Sequence, residues 1–265
     1  MPELPDVEGH RRVLAEHGTG RRVEDVEVVD AGVLRDTSAE DLTGSLRGRR
    51  FVDPERHGKW LVARTDGPPA VLFHFGMTGS LVAAGRGEER HRHDRVVVTL
   101  DDGELRYRDM RKLKGLWLAP DEDAVRAVLA DEGPDARDIG RHDLDRLLDG
   151  SRGRLKAMLL DQHRVAGLGN LLVDEILWRA RLRPDTPARD LDDPARADLH
   201  RALRRVLREA VPTEHVPGRS TWLTGARDSP DPHCPRCGTA LERDQVGGRT
   251  TVWCPCCQTA GKGPA

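Results

Sequence analysis

Two groups of residues in this chain have types and spacings that could do chemistry. The first is Cys234-x2-Cys237 followed, 16 residues later, by Cys254-x2-Cys257. Two thiolates on one tight knuckle can both approach a single ion to about 2.3 Å, and a second knuckle completes the tetrahedron that Zn2+ prefers. Cys256 offers a rival sulfur within Cys-Pro-Cys-Cys, but the two-residue spacing of the first knuckle selects Cys257. Four protein sulfurs leave no open position, so such a site is structural. All five cysteines fall within the last 32 residues, unlike the dispersed pattern of a disulfide scaffold. One structural zinc is expected, with His233 on the surface and not a ligand.

The second group stands at the other end. The chain opens Met1-Pro2-Glu3, and cells commonly remove methionine when a small residue follows. Pro2 would then carry a free secondary amine with a useful neutral fraction near pH 7. Such an amine can attack an anomeric carbon and give an iminium without losing a second proton. Glu3, beside it, could move protons at the same centre. Lys59 is notable in a chain with five lysines among 43 basic residues, because a compact ammonium suits a phosphate or a base edge.

These residues need elements to position them. Short runs rich in Val, Leu, Phe and Tyr at 21–30, 59–65, 70–76, 95–100 and 103–109 are separated by turn signals such as DGPP and DDG. A helix is expected from Asp6 to about Glu16, with Val7, Val13 and Leu14 on its apolar face. Together these predict a β-sandwich carrying an N-terminal helix. Apolar spacing near 3.6 predicts helices at 142–150, 153–162, 169–182 and 193–210, the last starting at Asp193–Pro194. Arginine-rich faces would cover their outside. Residues 211–233 read as a connector, 234–257 as a β-hairpin finger turning at Gly247–Gly248, and 258–265 as a frayed tail. The fold class is α+β, with domains at 1–130, 131–215 and 216–265.

Net charge is −2, so the chain is no polycation, which argues weakly against nucleic-acid binding. Local clusters matter more: Arg106, Arg108, Arg111, Lys112 and Lys114 lie in one run, and Arg152, Arg154 and Lys156 in another. Each run is either a solvated face or part of a basic surface. No apolar run reaches membrane-spanning length, and the acidic opening is not a secretory signal. The expected compartment is the cytoplasm.

Taken in order along the chain, several motifs are similar to those of the formamidopyrimidine-DNA glycosylase / endonuclease VIII family. They are PELPDVEGHRR at the start, HGKWL (57–61), HFGMTGSL (74–81), DMRKL (109–113), GLGNLLVDEILW (167–178) and the finger over 234–258. The resemblance implies a helix–two-turn–helix domain between sandwich and finger. It also implies a bifunctional glycosylase and abasic-site lyase acting on damaged duplex DNA as a monomer. By that resemblance Pro2 is the nucleophile that forms a Schiff base with deoxyribose, and Glu3 protonates the sugar ring oxygen and assists elimination. Lys59 holds the lesion or its flanking phosphate, and Asn170 and Arg249 grip phosphates. Met77, Arg111 and Leu113 fill the gap left when the base flips out. A catalytically weak damaged-DNA-binding protein on the same fold is the alternative; an N-terminal-proline tautomerase would explain Pro2 but neither the finger nor the Asn170 turn.

The chain also departs from the family pattern. Asp6 stands where glutamate is common, Leu113 where one branch has phenylalanine, and Leu172 where a tyrosine is common. Those differences, with the short 211–233 connector, point away from 8-oxoguanine and toward oxidised pyrimidines or a ring-opened base, whereas the Met77 loop resembles the formamidopyrimidine branch.

Overall fold

The computed structural model describes residues 1–259; residues 260–265 of the expected tail lie outside them. The chain divides into two units, Met1–Pro2 with Asp6–Asp131, and Glu3–Pro5 with the chain from Glu132 onward. The leading helix α1, Leu4–His17, begins two residues before the expected start.

In the first unit, β1 (Val23–Val28), β2 (Leu34–Arg35) and α2 (Ala39–Leu46) follow α1. Then come β3 (Glu55–His57), β4 (Trp60–Thr65), β5 (Gly67–His74) and β6 (Ser80–Ala84), with β7 (Asp94–Leu100), β8 (Glu104–Arg108), β9 (Gly115–Ala119) and α3 (Glu122–Leu129) completing it. One sheet has strand order β1-β7-β8-β6 and the other β2-β9-β5-β4-β3. All pairs are antiparallel except β2 with β9. Val26, Val96, Val98, Leu105 and Tyr107 from the first sheet share one core with Leu61, Val71, Phe73 and Leu116 from the second. That core is the sandwich interior, and Val7 and Leu14 of α1 join it.

The period-two alternation of strands decides what the second sheet does with its other face. Leu61 and Ala63 point into the sandwich core. Trp60 and Val62 point the other way, into a smaller core closed by Val125 of α3. A strand buried on both faces reads as a continuous apolar run, as WLVA does.

The second unit is helical. It holds α4 (Arg141–Asp149), α5 (Leu155–Leu160), α6 (Asn170–Ala180), α7 (Asp193–Ala210) and α8 (Leu223–Ala226), then the hairpin β10 (Glu242–Val246) and β11 (Arg249–Trp253). Its core includes Leu144, Leu159, Leu172, Ile176, Leu203 and Val206. Asp192 caps α7 by accepting the Ala195 amide at 2.9 Å, one residue ahead of the expected start, and Pro194 sits in the first turn where no amide donor is needed.

Two expectations need correction. The 211–233 segment is not a plain connector: it contains α8, and Trp222 and Leu223 are buried. The tail does not fray from 258, because Gln258 is fully buried. Its amide oxygen accepts from the Cys254 amide at 2.8 Å and its Nε2 donates to the Leu182 carbonyl at 2.8 Å.

Candidate active site and metal centre

The Gly-Leu-Gly-Asn turn ends at α6, whose first-turn amides have no partner within the helix. Glu3 supplies one. Its Oε1 accepts the Leu171 amide at 2.8 Å and its Oε2 the Leu172 amide at 3.0 Å. The Leu4 amide donates to the Gly167 carbonyl at 3.0 Å, fixing the backbone beside it. The N-terminal end of a helix favours a carboxylate through its amides and its dipole. Gly169 is the residue that permits the approach: a Cβ there would lie 2.2 Å from the Glu3 Cδ. Glu3 is consequently buried, at 2 % exposure.

Asn170, the first residue of α6, donates from Nδ2 to the Thr250 carbonyl at 2.9 Å. Lys156 donates to the same carbonyl at 3.0 Å and pairs with Asp174 at 2.7 Å. Asp174 also receives Arg227 at 2.6 Å and the Val252 amide at 3.2 Å. This buried network ties α5 and α6 to β11 and sets the backbone next to Arg249. Burial pushes the Lys156 ammonium below its ordinary pKa and the Asp174 carboxyl above its own, each opposed by the other's charge. Arg249 is exposed and makes no ion pair among the described residues.

In the first unit Lys59 is buried in the turn that leads into β4. Its charge, after burial and the charge of Lys114, helps hold the His74 imidazole down at a pKa of about 4. The neutral His74 Nδ1 accepts the Gly76 amide at 3.1 Å. The loops after β5 and β8 are fastened together. Thr78 Oγ1 donates to Asp109 at 2.5 Å, and the Arg111 amide donates to both residues at 3.0 Å. Lys112 holds Asp30 at 2.8 Å, while Arg35 donates to the Lys112 and Lys114 carbonyls at 2.9 Å. That scaffold leaves Met77, Met110 and Leu113 at 40 %, 54 % and 50 % exposure, and the Arg111 guanidinium lies 3.0 Å from the Met77 sulfur.

The four sulfurs of Cys234, Cys237, Cys254 and Cys257 lie within 4.8 Å of one another. Tetrahedral zinc with bonds of about 2.3 Å spaces its sulfurs by about 3.8 Å. Cys234 to Cys257 is 3.9 Å and Cys237 to Cys254 is 3.6 Å, so the residues fit the ion. Cys256 and His233 are exposed and stand outside the cluster. Two N–H groups already point at the sulfurs: Trp178 Nε1 to Cys234 and the Cys257 amide to Cys254, both at 3.3 Å. Such outer contacts orient metal-binding thiolates.

The two basic runs are only partly available to a ligand. Arg106 is buried against Glu104 at 2.8 Å and Asp94 at 3.6 Å. Arg108 holds Asp94 at 2.7 Å, and Lys156 belongs to the buried network above. Arg111, Lys114, Arg152 and Arg154 remain exposed. Strand alternation puts Arg106 and Glu104 on the sheet face opposite the core residues Leu105 and Tyr107, where Asp94 and the Glu88 and Glu89 carbonyls complete its burial.

Matches with known proteins follow the same order along the chain. The formamidopyrimidine-DNA glycosylase N-terminal domain matches residues 1–116 and its H2TH domain residues 131–219. The zinc finger found in FPG and IleRS matches 233–260. A formamidopyrimidine-DNA glycosylase of Heliobacterium modesticaldum is 37% identical over 280 residues, covering 97% of this chain and 100% of that protein. The chain belongs to the formamidopyrimidine-DNA glycosylase family. One of Acidothermus cellulolyticus is also 37% identical, over 100% of this chain and 99% of its own. Among solved structures, Lactococcus lactis formamidopyrimidine-DNA glycosylase non-covalently bound to DNA with an AP site superposes with a TM-score of 0.86 at 28% identity, covering 97% of this chain and 99% of that one. MutM in complex with carbocyclic 8-oxo-G containing DNA gives 0.87 at 29%, covering 97% and 100%.

The chain is thus a DNA glycosylase of base excision repair whose finger takes one structural zinc. Nothing in these relatives supports the alternative of a catalytically weak binding protein. Within the second unit Glu3 meets the α6 turn, and Asn170 meets the residue after Arg249. Within the first, Met77, Arg111 and Leu113 stand on two fastened loops. Asp174 and Trp178 fall within the 167–178 motif and Lys156 within a basic run, but nothing in the sequence pointed to the network they form, and Arg227 lies in no motif.

Proposed function

We propose that this glycosylase excises a damaged base from duplex DNA through the Pro2 amine and then cleaves the abasic strand. Once Met1 is removed, the Pro2 nitrogen attacks C1′, the bond from C1′ to the base breaks, and the base leaves. Glu3 takes the proton that attack makes acidic on the Pro2 nitrogen and passes it to the ring oxygen O4′ as the sugar opens, leaving an iminium between Pro2 and C1′, while the departing base takes its proton from water. That cation acidifies the C2′ hydrogen, whose loss expels the 3′ phosphate. Lys59 holds the lesion or the adjoining phosphate. Met77, Arg111 and Leu113 fill the vacated stack, and Asn170 and Arg249 hold the backbone without reading sequence.

The observation that carries this reading is Glu3 itself: a buried carboxylate fixed by two helix amides, next in sequence to the residue whose amine would react. One chain supplies every role, which supports action as a monomer. Action on genomic DNA supports a cytoplasmic enzyme that works at the nucleoid. For the lesion we favour an oxidised pyrimidine or a ring-opened base, because Leu113 offers an aliphatic wedge and no aromatic one.

Borohydride trapping on an abasic-site duplex tests the nucleophile. The protein with Pro2 exposed should form a covalent adduct. A version that retains Met1 or bears an N-terminal tag should bind the same duplex but lose trapping and strand cleavage. Glu3→Gln should bind and lose most base excision, by roughly 10²-fold or more. Undiminished trapping by the blocked protein would move the nucleophile to a lysine, Lys59 first.

A further inference from the structure

The helix α7 buries Leu199, Leu203, Val206 and Leu207 on one side. Its other side exposes Arg201, Arg204, Arg205 and Arg208, spaced i, i+3, i+4 and i+7 as one continuous stripe. The stripe forms a wall of a groove of about 800 Å³. The facing wall is built from the end of α6, the 219–222 turn and Arg236 of the first cysteine knuckle. There Arg179 lies over the Trp222 ring at 4.3 Å, and Arg236 over the Trp178 ring at 4.2 Å. Both rings are buried beneath those guanidinium planes.

Seven arginines line the groove against two carboxylates, Asp198 and Glu209, in a protein whose net charge is −2. Glu209 answers Arg179 and Arg205, each at 2.9 Å, and Asp198 answers Arg201. The side chains of Arg208 and Arg219 make no hydrogen bond or ion pair among the described residues. Like charges three and four residues apart on a helix repel one another, so an anion here relieves a cost the protein bears when free.

We propose that this groove is a second binding site for the phosphate backbone of duplex DNA, independent of sequence and separate from the Asn170 and Arg249 grip. It lies at the C-terminal end of α6, and Asn170 at the N-terminal end, roughly 13 Å away at about 1.5 Å per residue. The spacing favours DNA over an acidic peptide. From Arg201 to Arg208 the stripe rises about 10 Å, the axial length of about three phosphate steps on one strand at about 3.4 Å each. The tryptophans, capped by arginine, leave no open apolar pocket for the anchoring side chain of a peptide, whereas guanidinium groups match phosphate oxygens two at a time. Bound there, a second stretch of duplex stays with the enzyme while the lesion site is full, which lets the enzyme pass between DNA segments. The proposal rests on the glycosylase reading for its choice of ligand.

The experiment fills the lesion site with excess short duplex carrying a tetrahydrofuran abasic analogue, then measures retention of a labelled, undamaged duplex. The unaltered protein should hold the second duplex. Arg204→Glu with Arg208→Glu and Arg219→Glu should weaken that retention at least tenfold, with unchanged zinc content and melting temperature. The slope of log affinity against log salt should shrink by up to about 0.9 for each phosphate that the variant no longer neutralises. Arg208→Ser alone should give a partial loss, which keeps the test valid if the triple variant misfolds. Retention by the variants equal to that of the unaltered protein, no second duplex held at all, or equal binding of a polyglutamate peptide would each overturn the proposal. Cleavage of a short abasic-site duplex, measured in parallel, judges the catalytic reading separately.

Discussion

Gly169 shows how much of a site can depend on an absent methyl group. Its backbone is extended, so alanine could adopt it without dihedral strain. What alanine could not do is share space with Glu3, since a Cβ would sit 2.2 Å from Cδ, 2.4 Å from Cγ and 2.5 Å from Oε1. Gly169→Ala must therefore push the carboxylate off the Leu171 and Leu172 amides or shift the turn. We expect base excision to fall by about 10²-fold, the lower range for losing a positioned acid or base, while zinc content stays whole. Excision at the original rate in a folded Gly169→Ala protein would mean that the turn does not serve Glu3. The glycine-rich turn was visible in the sequence as a turn. Its purpose was not, because the side chain it accommodates lies 166 residues earlier in the chain.

Strands and helices differ in how plainly the sequence announced them. β1, β4, β5, β7 and β8 were legible from their apolar runs, the five helices α1, α4, α5, α6 and α7 from apolar spacing, and the Gly247–Gly248 hairpin from its turn. β2, β3, the five-residue β6 and β9, and α2, α3 and α8 were not: β2, β3 and α8 are too brief for a repeat, and tertiary contacts, such as Val125 of α3 with Trp60, support the others. β5 offers a test at this scale. At its end His74 is half-buried and stays neutral down to a pKa of about 4, against 6.5 when unfolded. Above pH 6.5 neither state is protonated and the contribution of His74 to stability is complete. As pH falls from 6.5 toward 4 the unfolded chain takes up a proton that the folded one refuses, and stability is lost at about 1.4 kcal/mol per pH unit at most. His74→Gln keeps an acceptor for the Gly76 amide and cannot titrate. Urea unfolding at pH 7.5 and pH 5 should show a smaller pH dependence for this variant; equal slopes would show that His74 does not titrate as its surroundings indicate.

At the scale of the whole molecule, the separation of cores makes the zinc a local device with a defined reach. The sandwich core and the helical core share no member, and the buried cysteines Cys234 and Cys254 pack in a small cluster with Trp178, Leu223 and Val252. That cluster borders the catalytic turn through two links: the Trp178 indole donates to Cys234, and the Val252 amide to Asp174, which holds Lys156. Because a closed four-thiolate zinc site contributes its binding energy to folding, Cys237→Ser should release the zinc and unfold β10 and β11. The Thr250 carbonyl then stops receiving Asn170 and Lys156, and Asp174 loses the Val252 amide. Hydrogen exchange resolved by peptide should show protection lost over 242–253, reduced over 170–180, and retained over 60–74 and 94–100. If Arg249 grips phosphate and not a base, as proposed above, damaged and undamaged duplexes should lose affinity alike. Unchanged protection over 170–180 would show that the finger does not brace the α6 turn. Loss of protection throughout 1–131 would show that the sandwich depends on the metal as well, and that the independence of its core from the finger does not extend to its folding.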